Sequence, residues 1–275
     1  MSDLNELREK IDQIDGELLR LLNERASIAL EVGHVKSRDG LPIYAPAREA
    51  SLLRSLCERS SGPLSEKAIR AIYREIISAA LALEKDVIIA CHGHESSVTH
   101  QAAKARFGSS VSYTFYPEIS ELFQAVERGE GDCGVVPIDS AVGGVDGRTL
   151  DALTDTSLVI CGEVMLASDS SPDEKARFFI LARTATPMTG RDRTTLLLRV
   201  EDKPGALVDA LAPFKDAELN LRHFASRPAS KGSHDTFFFV EVEGHSRDDS
   251  FGDVLRGLSR SCRAVKILGS YPTAE

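Results

Sequence analysis

The chain has 275 residues, of which 42% are hydrophobic and 27% are charged, a composition typical of globular proteins. This length allows two or three domains, each with its own core. A formal net charge of −9 argues against nucleic acid or an anionic membrane as the main partner.

The sequence lacks segments that would direct it to, or hold it in, a membrane. No run of about 18 apolar residues is present, and the N-terminal MSDLNELREKID is charged where a signal peptide would have an apolar core. Five scattered cysteines predict free thiols and no disulfide framework: Cys57, Cys91, Cys133, Cys161 and Cys262. We therefore expect a cytoplasmic protein.

The N-terminal third begins with the pattern of one long helix. Apolar residues recur at steps of three and four from Leu4 to Val35 without a proline, which predicts an amphipathic helix over residues 3–38. Such a helix is on the order of 50 Å long. It must bury its apolar stripe against a partner, and we expect a second copy of the chain.

Two shorter helices follow. Pro42 and Pro46 end the first helix and allow a second over about 47–59. Ser65 is the expected N-cap of a third helix, which ends near Glu84.

After Asp86 the hydrophobic period changes to that of short strands. Strands are predicted at 87–90, 111–116, 133–138 and 158–166, with helices at 99–107 and 118–129. This alternation is typical of an α/β unit. A polar linker at 182–193 precedes a βαββαβ pattern, the order of a ferredoxin-like sandwich. The predicted domains are residues 1–85, 86–182 and 190–275.

Basic residues lie along the first helix. Arg25 and Lys36 are 11 positions apart, so they share a face to within about 20°. Arg8 is about 100° away from Arg25 and could serve a neighbouring chain. Taken alone, these residues would more often mark a solvated surface.

The whole pattern resembles a known family. LREKIDQIDGELLRLLNERASIALEVGHVK, with the later IYAPARE and IYREIISAALALE, resembles the AroQ-type chorismate mutase domain at the head of bifunctional chorismate mutase–prephenate dehydratases. The resemblance covers residues 4–84. It implies an all-helical homodimer that acts on chorismate without a cofactor or metal. The implied site holds Arg25, Lys36, Arg48, Glu49 and Glu84 of one chain and Arg8 of the other.

These residue types suit the reaction that the resemblance implies. Rearrangement of chorismate to prephenate needs no nucleophile, only a fixed conformer and stabilisation of charge on the ether oxygen. The implied roles are carboxylate binding for Arg8 and Arg25, because guanidinium matches carboxylate bidentately, and donation to the ether oxygen for Lys36. Arg48 would lie near the carboxylate and ether end.

Two acidic residues complete the implied site. Glu49 would accept a hydrogen bond from the ring hydroxyl. Glu84 stands where many relatives have Gln, and a carboxylate there would repel the developing charge. Glu84 is therefore expected to be protonated.

The middle of the chain resembles a prephenate dehydratase domain with losses. VIIACHGHESSVTHQAAKARFG and GDCGVVPIDSAVGGVDGRTLDAL follow the family pattern, but Asp139, Ser140 and Ala141 replace its Glu-Asn-Ser. In ARF, Ala176 replaces the catalytic threonine, and only residues 167–175 occupy the place of the family's second lobe. We expect a single-lobe α/β remnant without dehydratase activity.

The C-terminal part, with KPGALVDALAPFKDAELNLRHFASRP, resembles an α+β ferredoxin-like ACT regulatory domain. The retained signature residues are Gly205, Ala206, Leu207, Asn220, Leu221, Ser226, Arg227 and Pro228. They imply binding of an aromatic amino acid, phenylalanine in the dehydratases, and pairing of such domains could build a higher oligomer. Ala225 replaces the usual glutamate, so a domain that only dimerises is the alternative.

The sequence leaves three other functions open. The chain could be a bifunctional mutase–dehydratase, or a non-catalytic sensor in which the helices only dimerise. Cys91, His92, His94 and His100 could hold zinc, but converging these four ligands tetrahedrally is awkward.

Overall fold

The computed structural model describes residues 2–140, 144–167, 175–229 and 235–274. The helices are α1 (Ser2–Arg38), α2 (Pro46–Arg59), α3 (Glu66–Glu84), α4 (Val98–Phe107), α5 (Ile119–Arg128), α6 (Gly147–Asp155), α7 (Ala206–Asp216) and α8 (Asp249–Ser261). The strands are β1 (Ile88–His92), β2 (Ser112–Tyr116), β3 (Cys133–Ser140), β4 (Gly144–Val145), β5 (Val159–Ala167), β6 (Lys175–Ala182), β7 (Asp192–Glu201), β8 (Leu221–Pro228), β9 (Asp235–Glu243) and β10 (Ala264–Pro272).

Helices α1–α3 form an N-terminal helical region, and the predicted long helix is confirmed. Near its C-terminal end, Gly33 of α1 lies against Glu84 of α3 so closely that a Cβ at Gly33 would lie 3.0 Å from the Glu84 Cβ. Farther towards the N-terminus the apolar stripe of α1 is open to solvent, with Ile14 60% and Leu18 50% exposed. This stripe is what a partner helix would cover.

The ends of α2 and α3 follow the predicted signals. Pro46 is the first residue of α2. The N–H at this position has no acceptor within the helix, so proline, which lacks an N–H, is tolerated there. The Ser65 hydroxyl caps α3 by accepting from the Ala68 N–H at 3.2 Å.

The central lobe comprises β1–β6 with α4–α6. Its main sheet has the order β2-β1-β3-β6-β5, in which β1 is parallel to β2 and β3, whereas β6 is antiparallel to β3 and β5. Strands β5 and β6 pair up to Ala167 opposite Lys175. Only seven residues, 168–174, therefore join these strands, which supports the expectation that no second lobe lies between them.

Three elements of the lobe were not predicted: α6, β4 and β6. Helix α6 has a readable signal, because the Asp146 carboxylate caps it by accepting from the N–H groups of Arg148 and Thr149. Leu150 and Leu153 then face the core.

The C-terminal domain has the predicted βαββαβ order. Its antiparallel sheet runs β10-β7-β9-β8, and the apolar core between the sheet and its helices includes Phe214 of α7 and Phe251 of α8. The ferredoxin-like architecture is confirmed. Together with the helical and α/β regions it gives the predicted multidomain fold.

The other side of this sheet packs on the central lobe. Tyr271 belongs to the same buried cluster as Leu153 and Ile160. At Gly269 the two backbones approach so closely that a Cβ would lie 2.1 Å from the Ile160 carbonyl oxygen. The lobe and the C-terminal domain thus share one apolar core. In the described ranges, no helix is long and apolar enough to span a bilayer.

Candidate active site

Lys36 and Glu84 meet where α1 and α3 pack. The Lys36 Nζ donates to Glu84 Oε2 at 2.9 Å and to the Ile43 carbonyl at 3.0 Å. The side chains are only 20% and 8% exposed. Two residues of the sequence-predicted site that are 48 positions apart in the sequence are therefore in contact.

The three remaining cations of the predicted site are spread along α1 and α2. Arg25 is half-buried and lies about 16 Å along the helix axis from Lys36. Arg8 is exposed and lies about 42 Å along the axis from Lys36. Arg48 is exposed in the first turn of α2. Within the described ranges, none of these three guanidinium groups makes a hydrogen bond or an ion pair. Arg8 is too far away to complete the site of its own chain.

Glu49 is engaged by the central lobe. Its carboxylate is buried and accepts a hydrogen bond from Arg106 of α4. The Arg106 guanidinium also lies over the Tyr44 ring, 5.8 Å from its centroid. Burial alone would lower the pKa of Arg106, but the Glu49 carboxylate more than offsets this and the pKa is raised. The pairing of Arg106 with Glu49 is not predictable from the sequence, because the two residues are 57 positions apart and no local pattern in α4 indicates a glutamate partner.

The four candidate zinc ligands lie on three successive segments: Cys91 and His92 in β1, His94 in the turn after it, and His100 in α4. Cys91 is fully buried, and burial raises the pKa of its thiol to about 12, which disfavours a thiolate ligand. The exposed His94 donates through Nδ1 to the Glu95 carbonyl at 2.7 Å. Over the described residues, no group of three or more His, Cys, Asp or Glu is arranged to hold a metal.

His100 is a packing residue. Its Nδ1 accepts from the Ser96 N–H at 2.9 Å, and its ring packs edge-on against Tyr113 and Phe115 at centroid distances of 5.0 and 4.9 Å. Burial lowers the pKa of His100, so the neutral ring is favoured. The half-buried His92 also has a pKa lowered by burial.

The altered dehydratase positions lie in β3 and β6. Ala176 pairs with Leu166 across the β5–β6 hairpin and packs against an apolar cluster. Asp139 of β3 lies opposite Arg177. Ala141 and the side chain of Ser140 lie outside the described residues. A hydroxyl at the family's threonine position is therefore replaced by an apolar contact.

Arg177, the residue after Ala176, joins the central lobe to the C-terminal domain. Its Nε donates to Glu163 Oε2 at 2.7 Å, and its Nη1 and Nη2 donate to the two oxygens of Glu241 at 2.8 and 2.7 Å. All three residues are less than 8% exposed. Burial by itself would lower the pKa of Arg177, but the bonds to Glu241 and the neighbouring charges raise it above its ordinary value. Sequence analysis missed this buried network.

The regulatory signature residues form two groups in the C-terminal domain. Gly205, at φ +85°, caps α7 and is followed by Ala206 and Leu207. The others lie in or beside the edge strand β8: Asn220, Leu221, Ser226, Arg227 and Pro228.

The Arg227 side chain contacts the central lobe. Its guanidinium donates to both oxygens of Asp151 on α6, at 3.0 and 2.5 Å. Ala225, where the family has glutamate, packs against the shared core. Over the described ranges β8 pairs only with β9, which makes it the edge strand of this sheet.

The three regions match three family models in chain order. Residues 7–85 match chorismate mutase type II, residues 89–171 match prephenate dehydratase, and residues 194–259 match the ACT domain. The X-ray structure of prephenate dehydratase from Streptococcus mutans has a TM-score of 0.60 at 26% identity, and the match covers 69% of this chain and all of that one.

Two relatives are similar over their whole lengths. The bifunctional chorismate mutase/prephenate dehydratase of Pseudomonas aeruginosa is 29% identical, and the match covers 98% of both chains. That of Aquifex aeolicus is 33% identical over 358 positions, covering 100% of this chain and 99% of the relative. Because this chain has 275 residues, at least 83 of those positions have no counterpart here. By this similarity, the chain belongs to the bifunctional chorismate mutase/prephenate dehydratase family.

Proposed function

We propose that the protein is a chorismate mutase, which converts chorismate to prephenate by a Claisen rearrangement. The observation that supports this most is the contact of Lys36 with Glu84. Arg25 on α1 and Arg48 on α2 make no ion pair within the described residues, so both remain available to a substrate. Lys36 donates to the ether oxygen, where negative charge builds up in the transition state. Arg25 binds a carboxylate of the substrate, and Arg48 lies at the carboxylate and ether end.

Two acidic groups hold the rest of the substrate. Glu49 accepts from the ring hydroxyl, and Arg106 holds the Glu49 side chain in place by donating to its carboxylate. Binding the dianion in its compact conformer supplies the catalysis, since the reaction is intramolecular.

The working unit in this proposal is a homodimer. The stripe of exposed apolar residues along α1, including Leu7 and Ile11, is larger than a single surface helix normally exposes. A second α1 would cover it and bring its Arg8 to the site of the first chain. The free cysteines suit a reducing cytoplasm.

The experiment is a chorismate-depletion assay with the purified full chain. Depletion well above the uncatalysed rate supports the mutase. A rate equal to background would leave the non-catalytic sensor as the better account.

We further propose that dehydratase activity is absent. Seven residues separate β5 from β6, so the chain has no second lobe there to close over prephenate. Ala176 offers no hydroxyl, and the adjacent Arg177 is committed to Glu163 and Glu241. Formation of phenylpyruvate from prephenate by the purified protein would overturn this.

We propose phenylalanine as the effector of the ACT domain. The retained Gly205-Ala206-Leu207 turn and the open β8 edge support a ligand pocket that is completed by a second copy. Calorimetry with each aromatic amino acid tests it, and binding of none would favour a domain that only pairs.

The Lys36–Glu84 contact makes a prediction about the charge at position 84. In the free chain Lys36 donates to Glu84, but during the reaction Lys36 must donate to the ether oxygen, where a neighbouring negative charge would be unfavourable. Glu84→Gln removes that charge and supplies an N–H donor, so we expect kcat to stay unchanged or to rise.

Steady-state kinetics of chorismate depletion for the two proteins is the measurement. A kcat that falls tenfold or more in Glu84→Gln would contradict the role given to position 84.

A further inference from the structure

A cavity lies where the helical region, the central lobe and the C-terminal domain meet. Its volume is about 270 Å³. Its walls come from α2 and α3, from the end of α4, from residues 162–165 of β5 and from residues 272–274 at the end of the chain. Glu49 is the only described residue that it shares with the proposed mutase site, and neither Lys36 nor Glu84 lines it.

The cavity is strongly cationic, although the chain as a whole carries a net charge of −9. Among the described residues, five arginines and two carboxylates line it: Arg54, Arg70, Arg74, Arg106 and Arg191, with Glu49 and Glu163.

Arg70 is paired with Glu66, but neither carboxylate of the lining pairs with Arg54 or Arg74. Glu49 is paired with Arg106, and Glu163 is paired with Arg177 and Arg193, which lie outside the lining. Positive charge therefore remains in a partly enclosed space.

Arg54 and Arg74 are the two cations that stand out. The Arg54 Nε is buried and has no hydrogen-bond partner in the part of the chain that the structure describes. Arg74 is half-buried and, among the described residues, forms neither a hydrogen bond nor an ion pair. A buried N–H without an acceptor is costly, and more so on a charged group. Both side chains line the cavity, so an acceptor bound there can meet their guanidinium groups.

We propose that this cavity binds a small oxyanion, a carboxylate or a phosphate, held by Arg54 and Arg74. Guanidinium groups match both anions with paired N–H donors. A volume of about 270 Å³ is near the lower end for ligand pockets, so it suits a small acid better than a nucleotide. The site is distinct from the Lys36–Glu84 site, and the proposal does not depend on mutase activity.

The test is isothermal titration calorimetry on the full chain without chorismate, using inorganic phosphate in one arm and malonate in the other. Sodium chloride at matched ionic strength is the reference. We expect saturable binding of at least one probe, at one site per chain, and the arm that binds identifies the oxyanion class.

Arg54→Gln and Arg74→Gln should each weaken that binding about tenfold or more, because a charge-assisted hydrogen bond is lost. Arg59→Gln is the matched control: the residue is exposed, lies on α2 and does not line the cavity. Circular dichroism reports folding. Where a glutamine variant fails to fold, the lysine variant takes its place and should weaken binding in the same direction.

Binding of neither probe beyond the chloride reference would overturn the proposal. So would affinities in the Arg54 and Arg74 variants equal to that of Arg59→Gln.

Discussion

Replacing Lys36 with methionine is expected to lower kcat for the rearrangement of chorismate about 100- to 1,000-fold, because one donor to the developing charge is lost. Methionine keeps the length of the side chain and its packing against α3. The measurement is steady-state kinetics of chorismate depletion.

Lys10→Met is the matched control, since Lys10 is exposed on the same helix. It should leave kcat unchanged. Lys36 also holds the loop after α1 through the Ile43 carbonyl, so the helical content of both variants is compared. Equal kcat values in the two variants would refute the role of Lys36.

Arg177→Met should lower the free energy of unfolding by about 3–5 kcal/mol, because Glu163 and Glu241 would stay buried without their main partner. Urea denaturation followed by circular dichroism measures it. The lost stability should come from the junction of the central lobe and the C-terminal domain, where the three side chains meet.

Arg222→Ala is the control for this prediction. Arg222 pairs with Glu243 on the same sheet, but both side chains are about half exposed, so the pair contributes less than about 1 kcal/mol. If Arg177→Met costs no more than Arg222→Ala, the buried network does not hold the two domains together.

The fold was largely predictable because its signals are local. The 3.6-residue period from Leu4 to Val35, the prolines before α2 and the Ser65 cap all depend on neighbours within a few residues. β6 was missed: its run KARFFILA follows β5 after only seven residues. The family pattern predicts a second lobe after β5. A strand that returns directly in a hairpin is therefore not expected there.

The candidate site was predictable only in part. Lys36 and Glu84 follow from the resemblance to a family, and the structure brings them into contact. The partners of Glu49 and Arg177 could not be predicted, since Arg106 lies 57 positions from Glu49 and Glu241 lies 64 positions from Arg177. Ion pairs between domains depend on how the domains pack, and no local pattern encodes that packing.

The most direct test of the account is to give chorismate to the purified full chain and follow the products over time. The account predicts that chorismate is consumed and prephenate accumulates, with no phenylpyruvate formed. Chorismate consumption no faster than in buffer, or phenylpyruvate appearing in step with prephenate, would contradict it.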